Sequence, residues 1–456
     1  MSLLHSFPAA VNSARFHCKH FLSVMRVHLK TLGCRLNEAE LESWSRDFQS
    51  RGHRITDTLA DAEMVVINTC AVTGEAVRKS RKLMRGVRRL NPTSKLVVSG
   101  CFASLDPTQN AQSLGVDLLV GNHEKDHLVE IASRELDLHS MPELATLPGE
   151  NSLLASGRQR AFVKIQDGCR YQCTFCVVTL ARGEEKSRSV GDIISEINTL
   201  HQQGIQEAVL SGVHLGGYGS DRGSDLGELV ASILAETDMP RLRLGAVEPW
   251  DLPVDFWSLF RNPRLMPHLH LPLQSGSDQV LRRMARRCKR SEFQRLVDQA
   301  RREVPDFNIS TDIIVGFPGE TDNEWRQTLD LVEQVRFGHL HIFAYSPRPG
   351  TRAAAMPNPV PRDVIRARSR QLHEIGQRIK KEVLEGYLGR RFAVLIEGAH
   401  ATESGCLAGY TPNFLRISIE NPGGNNELVN TIREINCCEV SASGDGLVGE
   451  LPPSIR

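Results

Sequence analysis

The stretch Cys169-Arg-Tyr-Gln-Cys173-Thr-Phe-Cys176 carries three thiols directly after the strand-like run Phe162-Val-Lys-Ile-Gln-Asp-Gly168. A structural zinc site closes with four protein ligands. An iron–sulfur cube held by only three thiolates keeps one iron open to a further ligand, whereas four neighbouring cysteines would suggest electron transfer alone. The C-x3-C-x2-C spacing therefore predicts a cluster at whose open iron chemistry takes place.

The bulk composition narrows the class of protein. The chain has 456 residues, of which 40% are hydrophobic, which is enough for about three domains with sizeable cores. A net charge of +1 gives no global field for nucleic acid, so RNA affinity must come from local basic patches. Eleven cysteines at these spacings favour metal ligation in a reducing compartment, here the cytoplasm, over a disulfide framework. No run of about 18 apolar residues occurs, so no membrane span is predicted.

The first 24 residues have no acidic side chain and no cleavable apolar core. We interpret residues 1–24 as an extension ahead of a natural start at Met25, with a targeting peptide as the weaker alternative.

Residues 25–140 are predicted to form an α/β domain with a parallel sheet. Helical patterns alternate with three apolar runs that each lead into a cysteine, namely Val27–Leu32 before Cys34, Met64–Ile67 before Cys70, and Leu96–Val98 before Cys101. Functional groups of open parallel sheets collect beyond the carboxyl ends of the strands. One such cysteine would most simply be a buried core residue. Three at equivalent strand ends favour a second metal centre.

Residues 155–385 are predicted to form a partial (β/α)6 barrel. Helix-compatible stretches separate six strand-like runs, Phe162–Gln166, Glu207–Ser211, Arg241–Val247, His268–Gln274, Asn308–Val315 and His339–Tyr345. Barrel enzymes place their sites after the strands, and Glu248, Gln274 and Asp312 belong to that mouth. No dinucleotide fingerprint or phosphate loop is present. We expect no side chain to act as a catalytic acid or base, and we interpret His268 and His270 as packing residues.

The cysteine motif, with Phe175 before its last thiol, resembles the signature of the radical S-adenosylmethionine superfamily. Further motifs are similar to the methylthiotransferase family, over essentially Met25 to the C-terminus: Thr31-Leu-Gly-Cys-Arg-Leu-Asn37, Asn68-Thr-Cys70, Ser99-Gly-Cys101, Ala181-Arg-Gly183, Gln274-Ser-Gly276, Gly316-Phe-Pro-Gly-Glu-Thr321 and Ala344-Tyr-Ser346.

This resemblance implies two 4Fe–4S clusters, an auxiliary one on Cys34, Cys70 and Cys101 and a second one on Cys169, Cys173 and Cys176. It also implies a small C-terminal β-barrel, called TRAM, over residues 386–456. Its expected strands are Arg391–Glu397, Leu415–Glu420, Thr431–Val440 and Leu447–Leu451, with turns at Gly409–Phe414 and Gly444–Gly449.

The resemblance further implies that S-adenosylmethionine binds the open iron and is cleaved reductively to a radical, with an electron donor such as flavodoxin. The auxiliary cluster would carry or donate the sulfur, and a second S-adenosylmethionine would supply the methyl group. Our hypotheses for cofactor binding are Phe175 near the adenine, and Glu248, Gln274 and Asp312 at the ribose or amino group.

Members of this family differ in substrate. The motif Thr31–Asn37 favours the branch that acts on threonylcarbamoyladenosine next to the tRNA anticodon. Cys173–Val178 leans instead toward the isopentenyladenosine branch, and a third branch modifies an aspartate of a small-subunit ribosomal protein. An alternative of another class is a non-catalytic metal- or cluster-bearing RNA-binding protein. Three basic stretches are plausible phosphate tracks for the anticodon stem-loop, namely Arg78–Arg89, Arg282–Arg290 and Arg362–Lys381.

Overall fold

The structure is a computed structural model of the chain and describes residues 24–105, 114–136, 138, 159–253, 255–399, 405–420 and 426–452. The predicted N-terminal extension, apart from Val24, and the predicted boundary between residues 140 and 155 lie outside these ranges. Among the described helices, none combines the length and the apolar character needed to cross a membrane.

The N-terminal part contains a five-stranded parallel sheet in the order β2-β1-β3-β4-β5. Its strands are β1 Arg26–Thr31, β2 Arg54–Ile55, β3 Met64–Thr69, β4 Lys95–Gly100 and β5 Leu118–Val120, and its helices are Arg35–Ser50, Gly74–Leu90, Cys101–Leu105 and Leu128–Glu135. The central strand β3 is buried along its whole length, as expected when both faces of a parallel sheet are covered. The predicted parallel-sheet α/β architecture is confirmed.

The central part is an open barrel of βα units. Its strands are β6 Arg160–Lys164, β7 Gln166–Asp167, β8 Lys186–Ser187, β9 Glu207–Ser211, β10 Arg241–Leu244, β11 His268–His270, β12 Asn308–Val315 and β13 His339–Ala344. The helices are Val178–Arg182, Val190–Gln202, Leu226–Glu236, Asp278–Arg283, Arg290–Glu303, Asp322–Val335 and Arg362–Glu385. Parallel sheets β10-β9-β6 and β11-β12-β13 meet through a parallel bridge between Ala246 and His270. The predicted partial barrel is therefore confirmed.

Two barrel strands are shorter than predicted. The run expected to reach Val247 ends at Leu244, and the run expected to reach Gln274 ends at His270. Pro272 lies inside the second run and has no N–H to donate to a sheet ladder. Gln274 has a φ of 78°, a left-handed conformation that a regular strand does not contain.

The C-terminal part is a closed barrel in the order β14-β15-β16-β18-β17. Its strands are β14 Arg391–Ala399, β15 Cys406–Tyr410, β16 Arg416–Glu420, β17 Ile432–Val440 and β18 Leu447–Glu450. The small β-barrel is confirmed, but β15 was not predicted, and Gly409 and Tyr410 belong to this strand rather than to a turn. A Cβ on Gly409 would lie 2.6 Å from the carbonyl oxygen of Leu395. Close packing of the strands therefore requires glycine at this position, although glycine has a low strand propensity.

Two arginines dock this small barrel against the amino-terminal ends of β9 and β10. Arg241 donates to the carbonyl oxygens of Tyr410 at 3.1 Å and Ala393 at 2.6 Å, and Arg243 donates to that of Pro412 at 3.1 Å. The fully buried carboxylate of Glu207 compensates both cations and accepts from Nε of Arg243 at 2.7 Å. The small barrel therefore covers the end of the central barrel opposite to the cysteine loop.

We expect Arg241→Met to loosen this docking, because two carbonyl oxygens of the small barrel lose their donor. Hydrogen exchange should report amides of β14 exchanging roughly tenfold faster than in the unmodified protein. The control is Arg416→Met, since Arg416 forms its ion pair with Asp445 inside the small barrel. Equal exchange rates in the two variants would contradict the assigned role of Arg241.

Candidate functional site

The loop Cys169–Cys176 is fixed at its base by a short hairpin. Strands β7 and β8 pair antiparallel on either side of the loop. Gly168 has a φ of 71°, and a Cβ there would lie 1.7 Å from the carbonyl oxygen of Glu184, so only glycine fits this position. Within the loop, the N–H of Cys176 donates to the carbonyl of Cys173 at 3.0 Å. The three thiols are thus presented on one tight turn at the barrel mouth.

These thiols are partly buried. The pKa of Cys169 is raised to about 12 and that of Cys176 to about 11, mainly by burial, and the neighbouring Glu248 contributes to both shifts. Metal coordination deprotonates such thiols. Three cysteines without a fourth thiol in this loop suit an iron–sulfur cluster that retains an open iron.

Glu248 is the predicted cofactor-binding residue that lies beside the cysteine loop. Its Oε2 atom is buried and has no hydrogen-bond partner among the described residues. Its Oε1 atom lies 3.9 Å from Nη1 of Arg286, and the same nitrogen lies 3.9 Å from Sγ of Cys173. Burial raises the pKa of Glu248, against the opposing charge of Arg286. An unpaired buried carboxylate next to the thiols fits a ligand with amino or hydroxyl donors, as S-adenosylmethionine has.

The other three predicted cofactor contacts lie in different surroundings. Phe175 packs against a cluster that includes Met284 and Phe317. Gln274 is tied to β12, because its N–H donates to the carbonyl of Asp312 at 2.8 Å. The carboxylate of Asp312 lies in the barrel lumen, with its Oδ1 atom 3.2 Å from Nε2 of His270. Their contacts with a cofactor stay predictions.

Sequence reasoning missed a histidine that holds the cysteine loop in place. His214 is fully buried, with Nδ1 2.5 Å from Oε1 of Glu185 and Nε2 2.7 Å from Oδ2 of Asp251. Asp251 also accepts from the hydroxyl of Tyr171, inside the loop, at 2.7 Å. Burial opposes the charged imidazole, but the hydrogen bond to Asp251 and the nearby carboxylates raise the pKa of His214. The only pattern pointing to it was the Gly-rich segment after β9 in which it lies.

The structure brings Cys34, Cys70 and Cys101 together at the carboxyl edge of the N-terminal sheet. Cys70 and Cys101 directly follow β3 and β4. A Cβ on Gly33 would lie 2.7 Å from Cβ of Cys70, so glycine allows the two segments to approach. Burial raises the pKa of Cys70 to about 11, and the thiols of Cys101 and Cys34 add to this shift. Three neighbouring cysteines at one edge of the sheet fit the predicted auxiliary cluster, because metal coordination deprotonates thiols.

A buried ion network joins the N-terminal part to the central barrel between the two cysteine groups. Its members are Glu40, Lys125, Lys164, Asp167 and Arg182. Nη1 of Arg182 lies 2.9 Å from both Oε1 of Glu40 and Oδ1 of Asp167. Nζ of Lys125 contacts Glu40 and lies 2.9 Å from Oδ2 of Asp167. Asp167 and Arg182 flank the cysteine loop, so this network holds that loop against the N-terminal sheet.

The charges of the buried ion network balance when the exposed partner of Lys164 is included. Three cations, Lys125, Lys164 and Arg182, face the carboxylates of Glu40 and Asp167 and that of the largely exposed Asp126, which lies 2.8 Å from Lys164. Arg182 acts electrostatically on the thiols of Cys34 and Cys70, and it lowers their pKa against the stronger effect of burial. This cation therefore favours the thiolate form of these two residues without outweighing burial.

Two family models match this chain. Residues 26–121 match the family described as uncharacterized protein family UPF0004, and residues 163–332 match the radical SAM superfamily. The open barrel with a three-cysteine loop after its first strand, together with the second match, defines a radical S-adenosylmethionine enzyme. The cofactors of this class are a 4Fe–4S cluster, as the cysteine spacing predicts, and S-adenosylmethionine, as the resemblance implies.

Similar proteins cover most of the chain. The threonylcarbamoyladenosine tRNA methylthiotransferase MtaB of Thermotoga maritima is 36% identical, over 86% of this chain and 90% of the relative. The protein of the same name from Bacillus subtilis is 31% identical, over 86% and 89%. A tRNA-2-methylthio-N(6)-dimethylallyladenosine synthase of Thermobifida fusca is 35% identical, over 81% and 77%. The chain belongs to the radical S-adenosylmethionine methylthiotransferase family, and the predicted family is confirmed.

A solved structure supports the fold. The radical S-adenosylmethionine methyltransferase TsrM of Kitasatospora setae superimposes with a TM-score of 0.55, covering 73% of this chain and 77% of TsrM. Sequence identity is 16%, so this likeness concerns the fold alone.

We expect Cys70→Ala to remove one cluster and leave the other. The reconstituted protein should hold about eight iron atoms per chain, and the variant about four, because each cube contains four. Iron analysis together with absorbance near 400 nm measures this. The control is Cys288→Ala, a buried cysteine outside both groups. An unchanged iron content in Cys70→Ala would refute the assignment of Cys70.

We expect Glu40→Gln to lower the thermal stability of the metal-free protein, because it leaves Arg182 and Lys125 with less counter-charge, at a cost of about 3 kcal/mol. Burial alone would raise the pKa of Glu40, but Arg182 and Lys125 hold this pKa at about 2. The stabilisation is therefore present at neutral pH and is lost as the pH falls toward that value.

The measurement is the apparent melting temperature by fluorimetry. The control is Glu38→Gln on the same helix, since Glu38 has no ion pair among the described residues. Equal melting temperatures for the two variants would show that the buried ion network contributes nothing to stability.

Proposed function

We propose that this enzyme converts N6-threonylcarbamoyladenosine next to the tRNA anticodon into its 2-methylthio derivative. The observation that carries the proposal is the similarity to threonylcarbamoyladenosine tRNA methylthiotransferases over 86% of the chain. The motif Thr31–Asn37 favours the same branch. The dimethylallyladenosine relative, at 35% identity over 81% of the chain, is the reason for testing both nucleosides.

The chemistry requires a cofactor, because no acid or base usefully ionises an aromatic C–H bond. When bound to the open iron of a cluster, S-adenosylmethionine would supply a radical that can break such a bond homolytically. In the proposal, Cys169, Cys173 and Cys176 hold the cluster that binds this cofactor. Glu248 accepts hydrogen bonds from the cofactor, and His214 keeps the cysteine loop oriented through Asp251 and Glu185.

An auxiliary cluster on the second cysteine group would carry or donate the sulfur. Cys34, Cys70 and Cys101 would hold this cluster, and the positive charge of Arg182 favours the thiolate form of Cys34 and Cys70. The barrel lumen contains a cavity with a volume of about 630 Å³, and Cys34 lines it. A flipped-out base entering this cavity would lie next to Cys34.

A basic helix supports tRNA as the substrate. The helix Gly74–Leu90, which begins four residues after Cys70, buries Ser80, Met84 and Val87. Its opposite face exposes six cations, Arg78, Lys79, Arg81, Lys82, Arg85 and Arg89. An exposed basic face next to a cluster suits the phosphates of an anticodon stem-loop.

The other two basic stretches are less available to RNA. In Arg282–Arg290, Arg283 pairs with Glu324 at 2.9 Å, and Arg286 lies over the ring of Trp250. In the helix Arg362–Glu385, Arg368 pairs with the buried Glu320 at 2.9 Å. The proposal therefore assigns the main phosphate track to the helix Gly74–Leu90. It also includes a flavodoxin-like electron donor and a cytoplasmic location, which suits six thiols that must stay reduced.

Mass spectrometry of tRNA nucleosides tests the proposed function. In a strain that lacks the gene, we expect loss of 2-methylthio-N6-threonylcarbamoyladenosine and accumulation of its unmethylthiolated precursor. The wild-type gene and Cys288→Ala should restore the product, whereas Cys176→Ala should not, because it removes a ligand of the proposed cluster.

Other outcomes point to other substrates. If only methylthio-isopentenyladenosine is lost, the enzyme belongs to the branch that acts on isopentenyladenosine. If neither nucleoside changes, the aspartate of the ribosomal protein becomes the substrate to test. A purified protein that holds four-coordinate zinc and no iron would refute the enzymatic function.

A further inference from the structure

The cavity in the barrel lumen extends from the N-terminal cysteines to the C-terminal barrel. Gly33 and Cys34 line one part of it, and Lys380, Tyr410 and Phe414 line another. We call this space of about 630 Å³ the lumen cavity. Its lining comes from all three parts of the chain.

Two cations of the lumen cavity have no ion pair among the described residues. Arg35 is the first residue of the helix Arg35–Ser50, and its guanidinium lies 5.2 Å from the ring centre of Phe414. Lys380 lies half-buried on the helix Arg362–Glu385. Burial lowers the pKa of Lys380. A partly buried cation without a contacting counter-ion has lost part of its hydration, so an anion in this cavity would be stabilised.

The carboxylates of the lumen cavity are already engaged. Oδ1 of Asp312 lies 3.2 Å from Nε2 of His270. Oδ2 of Asp445 lies 3.6 Å from Nη1 of Arg416, and its Oδ1 accepts from the hydroxyl of Ser441 at 3.1 Å. Neither carboxylate contacts Arg35 or Lys380, although Asp445 acts on Lys380 over a longer distance.

Three imidazole side chains, His270, His339 and His341, line the wall of the lumen cavity. Burial and the neighbouring His341 lower the pKa of His339 to about 4, and burial with the neighbouring His270 lowers that of His341. The rings of His339 and His341 lie 4.5 Å apart and those of His270 and His341 lie 5.3 Å apart. These side chains offer hydrogen bonds to hydroxyl and amide groups without adding negative charge.

We propose that the lumen cavity binds the carboxylate of the threonyl group on the substrate adenosine, with Lys380 and Arg35 as its cationic partners. This inference rests on the proposed function and identifies how the substrate is selected. The base would occupy the part of the cavity next to Cys34, and its N6 substituent would extend toward Lys380. The substituent has one carboxylate, one hydroxyl and one urea group, which match the two cations and the row of imidazoles.

The same arrangement disfavours an isopentenyl substituent. That group has no anion and no hydrogen-bonding atom, so it would bury Lys380 and Arg35 further without a counter-ion. A site built for polar groups rejects an analogue that lacks them, because its own polar atoms then stay unpaired.

Lys380 is the better residue for the test, since Arg35 adjoins Cys34. The experiment measures binding of the cluster-loaded enzyme, under anaerobic conditions, to two fluorescent anticodon stem-loops. One stem-loop carries threonylcarbamoyladenosine, and the other carries the same nucleoside with its carboxylate converted to the primary amide. We expect the wild-type enzyme to bind the acid at least about tenfold more tightly than the amide, as a charge-assisted contact would provide.

Lys380→Met should reduce this preference to roughly one, whereas Lys380→Arg should keep most of it. The matched control is Lys381→Met, because Lys381 lies next along the same helix, is exposed, and pairs with Glu385 at 3.9 Å. Iron content confirms that the variants carry both clusters. The comparison of acid and amide in the wild-type enzyme needs no variant, so it decides the question even if Lys380→Met fails to fold.

Equal binding of acid and amide by the wild-type enzyme would overturn the inference. So would a preference in Lys380→Met as large as that in Lys381→Met. Nucleoside analysis separates these results from failure of the proposed function. Methylthiolation of threonylcarbamoyladenosine without a carboxylate preference rejects only the binding mode, whereas methylthiolation of isopentenyladenosine alone rejects the substrate itself.

Discussion

The buried ion network around Arg182 is the interaction on which the arrangement of this enzyme depends. Arg182 and Asp167 flank the cysteine loop of the barrel, while Glu40 and Lys125 belong to the N-terminal part. Charged groups lose much solvation when buried and persist only when they are paired closely. The partners therefore admit one relative position of the two parts, and this position fixes how one cysteine group lies relative to the other.

The positive charge of Arg182 in that network also affects the cysteines of the N-terminal part. Thiols buried in protein stay protonated, as the pKa of about 11 for Cys70 shows. A site meant for anionic thiolates needs compensating positive charge nearby, and Arg182 supplies it without a bond to any sulfur. His214 has a positioning role at the other cysteine group, where two carboxylates orient it and Asp251 links it to Tyr171 in the loop.

The C-terminal barrel contributes to the lining of the lumen cavity. Arg241 and Arg243 fix it at the amino-terminal end of the barrel strands, and Tyr410 and Phe414 then line the lumen cavity. An open barrel admits a large substrate from the side. With its far end covered, the lumen forms the cavity in which we propose that the substrate nucleoside binds.

The sequence by itself determined the class of chemistry. Cys169, Cys173 and Cys176 lie within one short loop, so their proximity does not depend on how the rest of the chain packs. Apolar runs ending in Cys34, Cys70 and Cys101 likewise determined the parallel sheet. Strand β15 was not predicted because glycine has a low strand propensity. Gly409 is required there by the close packing of the strands, which becomes visible only in the folded barrel. Only the tertiary structure decided the pairing of Arg182 with Glu40, the place of His214, and the presence of Arg35 and Lys380 in the lining of one cavity. These residues are distant in the chain, and burial and charge act on them only once the three parts have packed together.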